Sequence, residues 1–141
     1  MKTLSRTCTV AGLATVLTAF AGATAAQAAT VTLPDEGTLL ADGAGISVSV
    51  SFDCDSDWTG SVWIEAAQVV EGHRLATGAG YSDSVDCGDG EESVDVVLLA
   101  AGDYVPFTDG DAVVRVTVSA CNTETCEQAV EAGVVPLQDE D

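Results

Sequence analysis

Apolar and polar residues alternate with a period of two along much of the chain. In residues 46–52 the even positions are Ile, Val, Val and Phe, whereas the odd positions are all Ser. Residues 112–120 repeat the pattern with Ala and Val at the even positions, and residues 94–98 repeat it with Val and Leu. This period predicts β-strands that bury one face and expose the other to solvent.

Residues 61–70 depart from this pattern because both faces contain apolar residues. One face carries Val62, Ile64 and Ala66, and the other carries Trp63, Ala67 and Val69, interrupted by Glu65. Two apolar faces are typical of a central strand or of a strand whose outer side is covered.

Short turn signals containing glycine separate the alternating segments. They are Asp42-Gly43, Glu71-Gly72, Gly78-Ala79-Gly80, Asp89-Gly90, Gly102-Asp103 and Asp109-Gly110. We expect additional short strands at residues 31–33, 37–40 and 75–77, and a last strand through Val134 and Val135. Residues 123–132 could form a brief helix with Thr123 as its N-cap. The spacing predicts an all-β fold, an immunoglobulin-like antiparallel β-sandwich of about seven or eight strands.

The first 28 residues have the features of a secretory signal peptide. Lys2 and Arg6 precede an uncharged segment, and Ala26-Gln27-Ala28 fits the small-x-small cleavage rule, so the mature chain is expected to begin at Ala29. The apolar part is too short for a spanning helix, which needs roughly 20 residues. Cys8 would be removed with this segment. We therefore expect a secreted domain over residues 29–138 and an acidic tail over residues 139–141.

Cleavage would make the protein still more acidic. The whole chain has a formal charge of −19, and residues 29–141 keep Arg74 and Arg115 against all 23 acidic residues, which gives −21. Such a surface excludes nucleic acid and anionic membranes as partners and attracts cationic partners or divalent ions. The alternative is that the charge serves solubility outside the cell. We expect a monomer.

Four cysteines would remain, and an even number after a signal peptide indicates disulfides with three possible connectivities. Cys121 and Cys126 are close in sequence and pair most easily, which leaves Cys54 with Cys87. Cys54 continues the buried positions of residues 46–52, so its sulfur should enter the core. A zinc site is disfavoured because the sequence has one histidine, His73, and no Cys-x-x-Cys motif.

The sequence predicts no catalytic residues. His73 lies in an expected turn, and a triad would need a serine and a carboxylate close to it. The segment from Gly80 to Ser84 resembles a nucleophile elbow but lacks the final glycine and the helix that should follow. We therefore expect a protein that is not an enzyme.

Two groups of residues are candidates for ligand binding. Acidic residues flank both Cys54 and Cys87, and a disulfide between them would gather carboxylates suited to Ca²⁺; the candidates are Asp55, Asp57, Asp86, Asp89 and Glu91. Asp53 belongs to the same run but faces outward from its strand. Trp58 and Tyr104 lie in expected loops, where they could recognise a ligand or cover the end of the sandwich.

Several short segments together resemble small secreted actinobacterial β-sandwich proteins. These segments are Phe52-Asp53-Cys54, residues 76–80, Val85-Asp86-Cys87, residues 109–112, and Ala120-Cys121 with Cys126. The resemblance implies an extracellular immunoglobulin-like domain without an assigned activity.

The loop from Cys121 to Cys126 is also similar to the short C-terminal disulfide loop of neocarzinostatin-type apoproteins. Those proteins are acidic, secreted sandwiches that carry a chromophore, but their other disulfide closes a shorter loop than Cys54–Cys87 would. We expect an extracellular interaction or structural module that binds an unknown protein or small-molecule ligand. A chromophore carrier and a Ca²⁺-dependent binding domain are the alternatives.

Overall fold

The computed structural model describes residues 29–101 and 105–139, apart from the side chain of Ser84. The predicted signal peptide, Tyr104 and the last two residues lie outside the described part. The described residues form eight strands: β1 Ala29–Thr32, β2 Gly37–Leu40, β3 Gly45–Cys54, β4 Thr59–Val70, β5 Arg74–Asp86, β6 Glu92–Ala100, β7 Gly110–Cys121 and β8 Cys126–Asp139. A 3₁₀ turn at Glu71–His73 joins β4 to β5.

The alternating residues form the core as predicted. In β3, Ile46, Val48, Val50 and Phe52 are at most 1% exposed. In β7, the even positions from Ala112 to Ala120 are at most 2% exposed. Burial of each large apolar side chain contributes about 1.5–3 kcal/mol, so these rows supply much of the driving force for folding.

The hydrogen-bonded strands close into a seven-stranded barrel within the described residues. Strand β3 pairs with β6 along one edge and with β2 and then β1 along the other. Strand β2 pairs in parallel with β8, and the order then runs β8-β7-β4-β5-β6 back to β3. The all-β prediction is confirmed, whereas the closed ring and its parallel pair differ from the predicted antiparallel sandwich. Alternation identifies the buried side of each strand but not its neighbours.

Two narrow seams close the ring. Strands β5 and β6 share two residue pairs, and β2 and β8 share three. The β5–β6 seam depends on glycine, because a Cβ at Gly80 would lie 2.5 Å from the carbonyl oxygen of Val97 and one at Gly78 would lie 2.9 Å from that of Leu99. The prediction of a turn at Gly78–Gly80 is therefore wrong. These glycines lie inside β5 and permit close approach of a neighbouring strand.

The last strand corrects a second prediction. Residues 126–139 form β8 and pair with β7 along its whole length, so the expected helix at residues 123–132 is absent from the described chain. Asn122 explains the turn, because its Oδ1 accepts hydrogen bonds from the backbone N–H groups of Glu124 and Thr125. Thr123 lies inside this turn instead of capping a helix. Asp139, assigned to the tail, is the last residue of β8.

One buried polar side chain fixes a loop against the barrel. Gln68 faces inward on β4 and is 3% exposed. Its Nε2 donates to the carbonyl oxygen of Thr108 at 2.8 Å, and its Oε1 accepts from the N–H of Thr108 at 2.9 Å. Because the oxygen and the nitrogen of the amide are both hydrogen-bonded, its burial does not leave a polar group unpaired. The two bonds also hold the loop that contains buried Phe107.

Candidate functional site

A continuous group of large apolar side chains lies on the outer side of four adjacent strands. Each member points away from the core and is between 44% and 70% exposed. We call this group the apolar face; it consists of Trp63 and Val69 on β4, Leu75 and Tyr81 on β5, Val113 on β7, and Val130 and Val134 on β8. Val97 and Leu99 of β6 extend it past the β5–β6 seam.

Strand register brings these residues together. Trp63 pairs with Tyr81 on one side, and their ring centroids are 6.2 Å apart with planes tilted by 51°. On the other side Trp63 pairs with Thr117, which pairs in turn with Val130. Directly opposed residues lie within side-chain reach of each other, so the apolar face spans the sheet as one surface.

An ion pair lies in the middle of the apolar face. Arg115 of β7 and Glu65 of β4 are register partners, and their side-chain atoms approach to 3.6 Å. Both side chains are more than half exposed, so the pair contributes little to stability. Its main consequence is that the centre of the face carries no net charge.

The apolar face contains a hollow next to this ion pair. Ala67 pairs with Val113 on one side and with Thr77 on the other, next to the row that contains Glu65 and Arg115. These residues line a depression of about 300 Å³. A hollow of this size and lining can receive one large apolar side chain or a small ligand group.

The apolar face is large for a surface that no other described residue covers. Side chains of these sizes and exposures present on the order of 800 Å² together, compared with roughly 300–600 Å² for the largest patch of a typical monomer. About 800 Å² is also what each partner contributes to a standard protein interface. The size and composition of the apolar face are suited to contact with another molecule.

The opposite side of the barrel has a different outer surface. The outward residues Ser47, Ser49 and Ser51 of β3 and Ser93 of β6 form a polar surface, which we call the serine face. It adjoins the extension of the apolar face on β6, where Val97 is the register partner of Ser47. Ser49 and Ser93 lie within hydrogen-bond distance, 3.0 Å between their Oγ atoms. A depression of about 580 Å³ beside it is lined mainly by polar residues, among them Thr32, Asp35 and Glu36. A chromophore carrier requires an apolar cleft, and this depression does not supply one.

Both disulfides join the cysteine pairs expected from the sequence. Cys54–Cys87 connects the end of β3 to the residue that follows β5, and both cysteines are buried. Cys121–Cys126 closes the β7–β8 hairpin. Thr59 of β4 pairs with Cys121 and with Asp86, so the two disulfides lie at the same end of the barrel.

The calcium candidates lie at that end of the barrel, near the Cys54–Cys87 disulfide. Asp55, Asp57, Asp86, Asp89 and Glu91 are all exposed. Across residues 29–101 and 105–139, no three His, Cys, Asp or Glu side chains are grouped so that they could hold a metal ion. Calcium binding stays a prediction from the sequence.

The remaining candidate residues from the sequence are Trp58, Tyr104 and His73. Trp58 is half-buried and packs against the core at the disulfide end, as expected of a side chain that covers the end of the fold. Tyr104 lies outside the described residues. His73 is exposed in the turn after β4, where it has a positive φ of 58°. Among the described residues no helix is long and apolar enough to cross a membrane.

Sequence reasoning identified part of the apolar face but not its role. Trp63 and Val69 were placed on the second apolar side of β4, which was expected to be central or covered. The strand is central, between β5 and β7, yet none of residues 29–101 and 105–139 covers this side. Tyr81, Val113 and Val130 join it through strand register, and that information is absent from the period of any single segment.

Fold and surface together define a small disulfide-bonded β-barrel with one apolar outer face. No protein family matches the sequence, and no curated protein matches it either.

Proposed function

We propose that this chain is a non-catalytic extracellular interaction domain that binds a protein partner through the apolar face. The observation that carries the proposal is the seven large apolar side chains exposed on four adjacent strands. Exposed apolar patches of this size are typical of protein interaction sites. The hollow beside Ala67 makes the surface uneven, so that a partner of complementary shape fits it specifically.

Two features support the extracellular location. The described chain contains two disulfides, which persist in oxidising compartments. Residues 1–28 also have the composition of a cleavable signal peptide. An extracellular surface that is both acidic and apolar in patches stays soluble while keeping one contact region.

We also propose that the barrel is a variant of the immunoglobulin-like sandwich. The shortness of the two seams supports this relation: three pairs join β2 to β8 and two join β5 to β6, whereas β3 and β6 share eight. A sandwich whose sheets touch at both margins would give this pattern. Hydrogen exchange tests it, since amides at the seams should exchange faster than those between β7 and β4.

Oxidative footprinting tests the interaction. Hydroxyl radicals modify exposed aromatic side chains, so Trp63 and Tyr81 should oxidise readily in the purified protein. In the culture medium of the producing cells both should be protected, and half-buried Trp58 at the disulfide end serves as the internal control. The same spectra report whether the chain in the medium begins at Ala29.

Equal oxidation of Trp63 and Tyr81 in medium and in buffer would contradict the proposal. Protection of Trp58 to the same degree would indicate general shielding by the medium, and this would count against it as well. A Trp63→Ser, Tyr81→Ser variant should be lost from any complex that protects the wild type.

A further inference from the structure

Aspartates lie at the margins of the apolar face, although the ion pair at its centre carries no net charge. On three strands of the sheet an exposed aspartate lies two positions from an exposed apolar residue, on the same side of the strand. These pairs are Tyr81 and Asp83 on β5, Val97 and Asp95 on β6, and Val113 and Asp111 on β7. Carboxylates therefore lie at separate margins of the apolar face, with Asp83 toward the disulfide end and Asp111 toward the other end. Arg74 lies beside Leu75 at one margin, and Glu65 at the centre is balanced by Arg115.

The aspartates at the border of the apolar face, Asp83, Asp95 and Asp111, favour some binding partners over others. A second copy of the chain would bring its own aspartates against these, and residues 29–141 carry a formal charge of −21 in each copy. Like charges placed opposite each other across an interface disfavour that pairing. A surface with lysines or arginines around an apolar centre would instead be attracted and oriented by the same border.

We propose that the partner is a protein surface with a projecting apolar side chain surrounded by basic residues. The apolar side chain enters the hollow between Ala67, Thr77 and Val113, and the basic residues lie opposite Asp83, Asp95 and Asp111. This inference rests on the proposed function, because it specifies the chemistry of the partner that the apolar face binds. It requires affinity to fall as ionic strength rises.

Three synthetic disulfide-closed β-hairpin peptides test the inference with the oxidised protein by calorimetric titration. The first has Trp and Leu on one face with lysines around them. The second replaces the lysines with glutamates, and the third keeps the lysines but replaces Trp and Leu with serines. The first should bind at least about tenfold more tightly than either of the others, a difference of roughly 1.4 kcal/mol. Its affinity should weaken in higher salt.

Variants of the protein locate the binding site. Trp63→Ser should weaken binding of the first peptide roughly tenfold, because it removes the largest apolar side chain of the face. Asp111→Asn at the border should weaken it about threefold and reduce the dependence on salt. Asp53→Asn is the matched control, since it removes the same charge from an exposed position on β3, outside the apolar face.

Other results would overturn the inference. If the third peptide binds as well as the first and Trp63→Ser has no effect, the attraction depends on overall charge alone. If Asp53→Asn and Asp111→Asn act equally, the border has no special role. If the protein self-associates and Trp63→Ser makes it monomeric, the occupant is a second copy, and the proposed function survives without this inference. If the first peptide does not bind and Trp63 is still protected in the culture medium, this inference is wrong and the proposed function survives.

Discussion

The serine face and the apolar face cover the same core from opposite sides, yet their outer residues differ. Beneath the serine face, Ile46 and Val48 of β3 are at most 1% exposed. Beneath the apolar face, Ile64 of β4 and Val116 of β7 are fully buried. The inner residues are therefore equivalent, and the difference is confined to side chains that point toward solvent.

This difference separates what the fold requires from what it leaves free. Strand β3 forms with serine at its outward positions, so apolar outward residues are not needed to make a strand of this barrel. Valine and aromatic residues do favour strands, but that preference spans only about 1 kcal/mol and acts equally on both faces. Their concentration on one side is a property of the surface, and we attribute it to binding.

The largest effects should come from the shared core. We expect Phe52→Ala beneath the serine face and Ile64→Ala beneath the apolar face each to lower the free energy of unfolding by about 3–5 kcal/mol, because each leaves a cavity in close-packed surroundings. Denaturant unfolding measures both. Should one substitution cost less than about 1 kcal/mol, the two faces would not enclose one core.

The two disulfides should differ in their contribution to stability. Replacing Cys54 and Cys87 together by alanine should cost roughly 4 kcal/mol, since that bond closes a loop with a sequence separation of 33 and links β3 to β5. Replacing Cys121 and Cys126 should cost about 2 kcal/mol, because their separation is 5. Thermal or denaturant unfolding of the two double variants gives the comparison. If the Cys121–Cys126 bond contributed more, the link between β3 and β5 would matter less for stability than closure of the β7–β8 hairpin.

Much of the inner side of the barrel could be predicted from the sequence. Alternation in residues 46–52 and 112–120 identified buried side chains, because the period of a strand forces successive residues to opposite sides. The parity of Cys54 likewise placed its sulfur in the core. The start of β8 was harder to predict, because the side chain of Asn122 decides where the turn before it closes.

The outer surface was harder to predict because it depends on contacts distant in sequence. Gly78 and Gly80 have the composition of a turn, and only the approach of β6 shows why a strand contains them. Trp63 and Tyr81 are 18 positions apart in the sequence and become neighbours through the pairing of β4 with β5. Two of the apolar residues could be read from β4 alone, whereas the surface they form requires the order of the strands.

Exchanging outer residues between the faces should change stability much less than the core substitutions. Trp63→Ser with Tyr81→Ser should lower the free energy of unfolding by about 1 kcal/mol, mainly through loss of the aromatic contact. Ser49→Val with Ser93→Val on the serine face should change it by less than about 0.5 kcal/mol, because strand preference offsets the lost hydrogen bond. A loss of several kcal/mol from the aromatic pair would show that the apolar face supports the fold and would weaken its assignment to binding.

The smallest effect should come from the ion pair at the centre of the apolar face. A double-mutant cycle of Glu65→Gln and Arg115→Gln should give a coupling below about 0.5 kcal/mol, since both side chains are more than half exposed at a separation of 3.6 Å. In the unbound protein the coupling should vanish in high salt. If a partner covers the face, the same cycle measured on binding should give a larger coupling, because water no longer screens the two charges. Equal coupling in the free and bound protein would place the ion pair outside the contact and would move the binding region toward Trp63 and Tyr81.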